Sequence, residues 1–311
     1  MQLACMFPGQ GSQSIGMLKS IYDADTSIAQ TFDEAKAVLN IDFWSIAQSG
    51  PEDLLNDTVT TQVVMLIADV AMYRFLEKHG MPTPLMMAGH SLGEYAALVC
   101  GGAIEFTDAI RLVRRRAELM RDVVAHTDGA MAAIIGLDNA MVQDICANIS
   151  KAHSEQVIEP ANYNAPGQVV IAGNRQLIEF SLSQFEQAGA RMSKVLMVSV
   201  PCHCRLMEPA AHKFYEVLRN TPMMTPKIKL ISNVDLSIYE SVDTMKNLLA
   251  EQLYKPVRWT ETLALLKKHQ INSVMECGPG KVLSGLVKRT EPDLKSIFCF
   301  EINQLPTWDA I

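Results

Sequence analysis

The residues Gly89-His90-Ser91-Leu92-Gly93-Glu94 place a serine between two glycines, a spacing that could support nucleophilic chemistry. In a nucleophile elbow a strand ends in a sharp turn, glycines keep the neighbouring backbone clear, and the serine hydroxyl stands at the start of a helix. The apolar run before this motif and the helix-like run after it suit that arrangement. The motif alone also fits a serine that merely caps a helix, so both interpretations stay open.

His203 has the most site-like setting of the seven histidines in the chain. It follows a predicted strand, and Pro201 keeps the local backbone out of a helix, which suits a side chain that faces a cleft. His90 is the second candidate for a catalytic base, because a tight elbow would direct its ring away from Ser91. The run Cys202-His203-Cys204 has no second Cys/His cluster to complete a zinc site, so we predict that the chain binds no metal.

An arginine faces the apolar side of a helix predicted from about Thr107 to His126. On a wheel of about 100° per residue, the other arginines of this helix share the polar half, whereas Arg116 falls in the middle of the apolar half. A buried guanidinium needs a partner, which could be an internal carboxylate, a group of backbone carbonyls or an anionic ligand. If that partner is a substrate carboxylate, Arg116 would select acids over neutral acyl groups.

Two glycine-containing segments could be mistaken for nucleotide sites. In Phe7-Pro8-Gly9-Gln10-Gly11-Ser12-Gln13 the third glycine of a dinucleotide fingerprint would fall at Ser14. Cys277-Gly278-Pro279-Gly280-Lys281 lacks the leading glycine and the hydroxyl residue of a phosphate-binding loop. We therefore predict no cofactor, and we interpret the first segment either as a plain turn or as a loop whose N–H groups point into a site.

The elements around these residues alternate between strands and helices, which predicts an α/β fold with a mainly parallel sheet. Residues 129–199 read as β-α-β-β-α-β, the order of a ferredoxin-like unit. We predict that this small subdomain is inserted into an α/β-hydrolase-like core formed by residues 1–128 and 200–311, and that it walls one side of a cleft. Within this region a strand is expected from Ser193 to Val200, and the tail from about Thr290 looks weakly structured.

Composition narrows the classes of protein. The chain has 311 residues, 49% of them hydrophobic, so it can bury a sizeable core. A net charge of −7 argues against a nucleic-acid-binding protein, and no uninterrupted apolar span is long enough to cross a membrane. Seven scattered cysteines without a leader-like segment favour reduced thiols and a cytoplasmic protein.

Taken together, the motifs resemble one family closely and over essentially the whole chain, namely the malonyl-coenzyme A:acyl carrier protein transacylases of bacterial type II fatty acid synthesis. The motifs that carry the resemblance occur in the family's order. They are Phe7-Pro8-Gly9-Gln10-Gly11-Ser12-Gln13, Gly89-His90-Ser91-Leu92-Gly93-Glu94, Arg116, the inserted unit, Val200-Pro201-Cys202-His203, Gln252-Leu253-Tyr254-Lys255-Pro256-Val257-Arg258-Trp259 and Glu276-Cys277-Gly278-Pro279-Gly280.

The resemblance implies a role for each site residue. Ser91 is the expected nucleophile, His203 its base, and the backbone carbonyl of Gln252 the group that orients the histidine. The N–H groups of Gln10 and Leu92 are expected to form the oxyanion hole, and Arg116 to bind the malonyl carboxylate. The sequence departs from the family at Cys202, where serine is usual, which could alter acyl selectivity or thiol sensitivity.

The implied partners are malonyl-coenzyme A and an acyl carrier protein, and we expect a monomer. Because the carrier protein is acidic and this chain is acidic too, docking must rely on local charge, for which Arg191, Lys281, Lys288 and Arg289 are the candidates. Two alternatives remain: a serine hydrolase or thioesterase that uses the same Ser91 and His203 with water as acceptor, and a non-catalytic module that binds the carrier protein.

Overall fold

The computed structural model describes residues 2–124, 127–198 and 200–308. The strands are β1 (Leu3–Phe7), β2 (Met86–Gly89), β3 (Gly129–Ile135), β4 (Ile158–Ala165), β5 (Gln168–Asn174), β6 (Met192–Val195), β7 (Lys229–Ile231), β8 (Ser273–Glu276) and β9 (Lys295–Ile297). The helices are α1 (Lys19–Ala24), α2 (Thr26–Leu39), α3 (Phe43–Ser49), α4 (Glu52–Asn56), α5 (Thr58–Lys78), α6 (Gly93–Cys100), α7 (Phe106–Val124), α8 (Asn139–Ala152), α9 (Arg175–Gln187), α10 (Glu208–Asn220), α11 (Val242–Glu251), α12 (Trp259–Lys268) and α13 (Val282–Thr290). Short 3-10 turns lie at Arg205–Met207 and Ile302–Gln304.

The first sheet has five parallel strands in the order β7-β2-β1-β8-β9. Strands β1, β2 and β8 are buried along their whole length, as continuous apolar runs covered on both faces should be. Phe7 pairs with Gly89, so the carboxyl ends of β1 and β2 lie side by side. The loop after each of these strands therefore opens at the same edge of the sheet, where ligands bind in open α/β sheets.

The second sheet has four antiparallel strands in the order β4-β5-β3-β6. Its chain runs β3, α8, β4, β5, α9, β6, and apolar side chains of both helices pack against the strands in one cluster. Strand β4 carries register shifts between Pro160 and Asn162 and between Tyr163 and Ala165. Such irregularities change the direction of side chains at the edge of a sheet, and in β4 they occur next to Asn162 and Asn164.

Helix α5 is the one described helix that is long and apolar enough to cross a membrane by length and composition alone. Its most apolar 18-residue window has a mean hydropathy of 1.4, and 83% of that window is buried inside the protein. The apolar run is interrupted by Gln62, Asp69 and Arg74. These are the properties of a central core helix.

Two expectations about secondary structure were wrong. The tail after Thr290 is not weakly structured throughout, because β9 pairs in parallel with β8 and extends the first sheet. A strand of three residues is too short to show a periodic pattern, which is why the sequence did not indicate it. The strand expected over 193–200 ends at Val195, and Ser199 lies outside the described residues, as do residues 125 and 126 of the helix expected to reach His126.

Candidate active site

Ser91 lies in the turn that joins β2 to α6, with its backbone in the left-handed region at a φ of 52°. That conformation is uncommon for a residue with a side chain and needs support from its surroundings. A Cβ on Gly89 would lie 2.0 Å from the backbone nitrogen of Glu94, and one on Gly93 would lie 2.0 Å from the carbonyl oxygen of Phe7. Only glycine fits at either position, so the two glycines make this tight turn possible.

Asn233, in the segment after β7, stabilises the strained turn by hydrogen bonds to its backbone. Its Oδ1 accepts a hydrogen bond from the backbone N–H of Ser91 at 2.8 Å, and its Nδ2 donates to the carbonyl of Gly89 at 2.7 Å. The side chain is fully buried. The sequence analysis missed Asn233, because a contact across 142 positions leaves no local pattern.

His203 lies within hydrogen-bond distance of the serine, with 2.8 Å between its Nε2 and Ser91 Oγ. Its Nδ1 is 2.7 Å from the backbone carbonyl oxygen of Gln252. A carbonyl can only accept, so Nδ1 carries the proton and Nε2 is left as the acceptor that faces the hydroxyl. This tautomer is the one that can take a proton from Ser91.

Burial is the main reason why the pKa of His203 falls to about 3, and the positive charge of Arg116 lowers it further. The residue is only 3% exposed. His203 is therefore neutral at physiological pH in the free protein, and its Nε2 lone pair is available. An anion that neutralised Arg116 would raise this pKa and strengthen the base.

Arg116 projects from α7 into the interior and is 1% exposed. Its Nη1 donates to the amide oxygen of Gln62 at 2.5 Å and its Nη2 to that of Gln252 at 2.9 Å, while the guanidinium lies 5.3 Å from the centre of the Tyr95 ring. Three other arginines of α7 form ion pairs with carboxylates of the same helix, namely Arg111, Arg114 and Arg115. In the described chain Arg116 instead donates to neutral amide oxygens, and its Nε has no partner, so donors remain available for a ligand.

The loop after β1 packs against the serine turn. A Cβ on Gly9 would lie 2.5 Å from the carbonyl oxygen of His90 and 3.7 Å from the backbone nitrogen of Leu92, so the glycine permits this close approach. Neither the N–H of Gln10 nor that of Leu92 donates to a main-chain carbonyl in the portion of the chain described. The Gln10 side chain accepts a hydrogen bond from the Thr58 hydroxyl at 3.2 Å.

A cavity of about 190 Å³ joins these groups. It lies between the two sheets, because the second sheet contributes Met131, Asn162, Asn164 and Val170 to its wall. Arg116 is the only Lys, Arg, Asp or Glu among the described residues that line it. The remaining lining residues are Gln10, Gln62, His90, Ser91, Leu92, Leu196, Val198, Val200, Cys202 and His203.

Two other polar residues near the serine, His90 and Cys202, are poor candidates for catalysis. His90 Nε2 lies 2.8 Å from Asn164 Oδ1, and its ring packs against the edge of Trp259 with centroids 5.4 Å apart. Burial lowers the pKa of His90. Burial also raises the pKa of the Cys202 thiol to about 11, so this cysteine is protonated at neutral pH and is a poor nucleophile.

The four candidate docking residues are all exposed, and they come from two parts of the chain. Lys281 precedes α13, whereas Lys288 and Arg289 lie in its last turn, about 11 Å further along the helix axis. Arg191 immediately precedes β6 of the second sheet. Over residues 2–124, 127–198 and 200–308, no group of three or more His, Cys, Asp or Glu side chains could hold a metal ion.

Comparison with known proteins gives consistent matches over nearly the whole chain. The acyl transferase domain family matches residues 5–297. The malonyl CoA-acyl carrier protein transacylase of Escherichia coli strain K12 is 45% identical over 288 residues, which cover 93% of this chain and 92% of that protein.

Two solved structures are similar over their full length. The malonyl CoA-acyl carrier protein transacylase from Coxiella burnetii superposes with a TM-score of 0.95 at 39% identity, covering 98% of this chain and 96% of that one. A type II PKS acyl-carrier protein in complex with its malonyl-transacylase gives a TM-score of 0.95 at 43% identity, covering 99% of each chain.

Proposed function

We infer that this chain, which belongs to the acyl transferase domain family, moves a malonyl group from coenzyme A to the phosphopantetheine thiol of acyl carrier protein and so supplies fatty acid biosynthesis. The observation that carries this function is the joint placement of a serine–histidine pair, 2.8 Å apart, and a buried arginine on one cavity. A nucleophile alone allows any acyl transfer. The buried cation adds a reason for an acyl group with a free carboxylate.

The first half of the proposed reaction loads the serine. His203 Nε2 takes the hydroxyl proton of Ser91 while Oγ attacks the thioester carbonyl, and collapse of the tetrahedral intermediate breaks the carbon–sulfur bond. His203 then returns the proton to the departing coenzyme A thiolate. In the second half the carrier-protein thiol gives its proton to His203 and attacks the serine ester. Collapse of the intermediate breaks the bond between Ser91 Oγ and the acyl carbon, and His203 returns the proton to Oγ, which completes a ping-pong cycle.

The oxyanion of each tetrahedral intermediate is assigned to the N–H groups of Leu92 and Gln10. Two observations support this assignment. The loops that carry the two N–H groups pack against each other, and neither N–H donates to a main-chain carbonyl in the described chain. Donors left free in the resting site can be aimed at charge that develops during the reaction. Removing one such donor typically costs about 3 kcal/mol of transition-state stabilisation.

Arg116 is assigned to the malonyl carboxylate. The arginine is buried without a direct contact to a carboxylate, and its Nε has no partner in the described residues. A substrate carboxylate would bind its free donors through charge-assisted hydrogen bonds. It would also offset the field by which Arg116 lowers the pKa of His203, so binding of the correct acyl group strengthens the catalytic base.

The finer architecture is also a proposal. We assign residues 1–128 and 200–311 to an α/β-hydrolase-like core and residues 129–199 to an inserted ferredoxin-like subdomain. The separate parallel and antiparallel sheets, with a β-α-β-β-α-β order in the second, support this division. We further propose a cytoplasmic monomer that needs no cofactor, in keeping with seven free cysteines.

Mass spectrometry of the intact protein mixed with malonyl-coenzyme A tests the proposed function. A transferase should show a persisting adduct on Ser91 that holo acyl carrier protein removes, and Ser91→Ala should show none. A thioesterase would release malonate to water and leave no lasting adduct. A non-catalytic module would give no adduct and no change in Ser91→Ala, which would contradict the assignment.

The surface proposed to dock the acidic carrier protein includes Arg191, Lys281, Lys288 and Arg289. Reversing Lys288 and Arg289 to glutamate should raise the KM for the carrier protein several-fold, because it replaces attraction by repulsion at the encounter. Acylation by malonyl-coenzyme A alone is the internal control and should not change. An unaffected KM for the carrier protein would remove these two residues from the docking surface.

A further inference from the structure

A buried acid that the reaction does not use lies directly behind the nucleophile. Glu94 is in the first turn of α6, three residues after Ser91, and its backbone N–H donates to the Ser91 carbonyl at 3.1 Å. Its side chain is fully buried and does not line the cavity. A carboxylate in such a place needs good hydrogen-bond partners, and the identity of those partners shows what it does.

Both oxygens of Glu94 accept hydrogen bonds from polar side chains of distant segments. Oε1 accepts from the Tyr239 hydroxyl and Oε2 from the Gln252 side-chain Nε2, each at 2.5 Å. An ionised carboxylate is an acceptor only, so whatever faces it must present a donor. In its ionised form Glu94 therefore favours the orientation in which the NH₂ end of the Gln252 amide, and not its oxygen, points toward α6, and the Ser91 carbonyl requires the same orientation.

The orientation of that amide decides what Arg116 meets. With Nε2 directed to Glu94 and to the Ser91 carbonyl, which is 3.0 Å away, the Gln252 Oε1 points to Arg116 and accepts from Nη2 at 2.9 Å. The reversed amide would place an NH₂ group against the guanidinium, where two donors face each other without an acceptor. Arg116 would then lose one of its two amide contacts and its fixed position.

The indirect link between the two charges has a chemical consequence. A direct pair of Glu94 with Arg116 would occupy the guanidinium fork, which offers the parallel donors that a carboxylate binds best. Here one amide separates the acid from the arginine, so Arg116 gains an oriented partner and a nearby counter-charge while its remaining N–H groups stay available. Such an arrangement suits a cation that must be held rigidly and yet receive a substrate anion.

We propose that Glu94 is a positioning residue for the malonyl carboxylate, because it fixes the amide of Gln252 and, through that amide, Arg116. This inference rests on the proposed malonyl transfer and adds a determinant of acyl selectivity to it. An acetyl group has no carboxylate for Arg116 to bind. Loss of the Glu94 contact therefore weakens the use of malonyl groups specifically.

Two substitutions at Glu94 test the proposal by rates of Ser91 acylation with malonyl- and acetyl-coenzyme A. Glu94→Gln keeps the shape but offers both a donor and an acceptor, and Glu94→Asp keeps the charge but withdraws it from Gln252. Each should raise the KM for malonyl-coenzyme A about tenfold and leave acetyl transfer within about twofold, since only ground-state and transition-state contacts to the carboxylate are weakened. Glu276→Gln is the matched control, because this buried glutamate accepts from the backbone N–H groups of Leu283 and Ser284 and has no contact with Gln252. Its malonyl-to-acetyl ratio should stay that of the unmodified protein.

A background with Arg116→Ala separates positioning from a general structural role. If Glu94 acts through Arg116, adding Glu94→Gln to Arg116→Ala should not change the malonyl-to-acetyl ratio further. An equal fall of that ratio with and without Arg116, or equal losses with both acyl groups in folded single variants, would overturn the proposal. Failure of the unmodified protein to form a malonyl adduct would instead count against the proposed function.

Discussion

Two buried acids of this protein lie on helices that pack against the same parallel sheet, and they differ in their partners. Glu94 of α6 lies behind Ser91 and has hydrogen bonds from Tyr239 and Gln252 on its two oxygens. Asp69 of α5 is equally buried, but neither of its oxygens has a partner among the described residues. It lies next to the loop after β8, where a Cβ on Gly278 would come within 2.2 Å of its Oδ1.

The partners, more than the depth of burial, set the charge of each acid. Burial raises the pKa of Glu94, but hydrogen bonds from Tyr239 and Gln252 act in the opposite direction and hold it at about 7. Burial raises the pKa of Asp69 well above its ordinary value, and the nearby Glu276 adds to the rise. Glu94 can therefore ionise near neutral pH next to the reacting atoms, whereas burial favours the neutral form of Asp69, which has no partner among the described residues.

The largest predicted effect is on the rate of Ser91 acylation when the base His203 is removed from the hydrogen-bonded region around Glu94. His203→Ala should lower the rate of Ser91 acylation about 10²- to 10⁴-fold, because His203 is the one group among the described residues within hydrogen-bond distance of the Ser91 hydroxyl. The midpoint of thermal unfolding should stay close to that of the unmodified protein. The rate is measured by quenching the reaction with malonyl-coenzyme A at successive times and determining the acylated fraction of the protein by mass spectrometry. Acylation within about tenfold of the unmodified protein would mean that the polar groups of this region do not serve the chemistry.

How much of this site the sequence could predict depends on the range of each contact. The glycines around Ser91 and the apolar neighbours of Arg116 form short patterns, so a turn and an inward arginine could be inferred from local spacing. Asn233 meets Ser91 across 142 positions and Glu94 meets Gln252 across 158, and such contacts have no periodic signature. Asp69 could not be found either, since a lone acid in an apolar helix reads as an ordinary exposed residue.

The fold shows the same division. The alternation of strands and helices predicted the mixed α/β class and its mostly parallel sheet, which the match to solved transacylase structures confirms. Strand β9 was missed because its three residues are specified by pairing with β8, not by their own pattern. The partners of Arg116, two amide oxygens, were likewise outside the carboxylates, backbone carbonyls and anionic ligands that the sequence analysis considered.

A second prediction tests the cation that the network of Glu94 supports. Arg116→Ala should lower acylation by malonyl-coenzyme A about 100-fold and improve the relative use of acetyl-coenzyme A, because only the malonyl group has a carboxylate to lose. Parallel acylation rates with the two donors give the comparison. Equal losses with both would end the assignment of Arg116 to the carboxylate and leave it as a structural cation.

The smallest predicted effect concerns the unpaired acid and has the opposite sign. The folded protein keeps the Asp69 proton, whereas the unfolded chain releases it near the ordinary pKa of 3.8. Above about pH 4 the unfolded state therefore binds fewer protons than the folded state, and the free energy of unfolding falls as pH rises. The fall is up to about 1.4 kcal/mol per pH unit and ends where the pH reaches the pKa of Asp69 in the folded protein.

Asp69→Asn removes that dependence with little change of shape. The variant should match the unmodified protein near pH 4 and exceed its stability at pH 7, as measured by urea unfolding at both pH values. Asp53→Asn, at an exposed position of α4, is the control and should leave both values unchanged. A variant less stable than the unmodified protein at pH 7 would show that Asp69 is charged and paired in solution, and the contrast with Glu94 would then disappear.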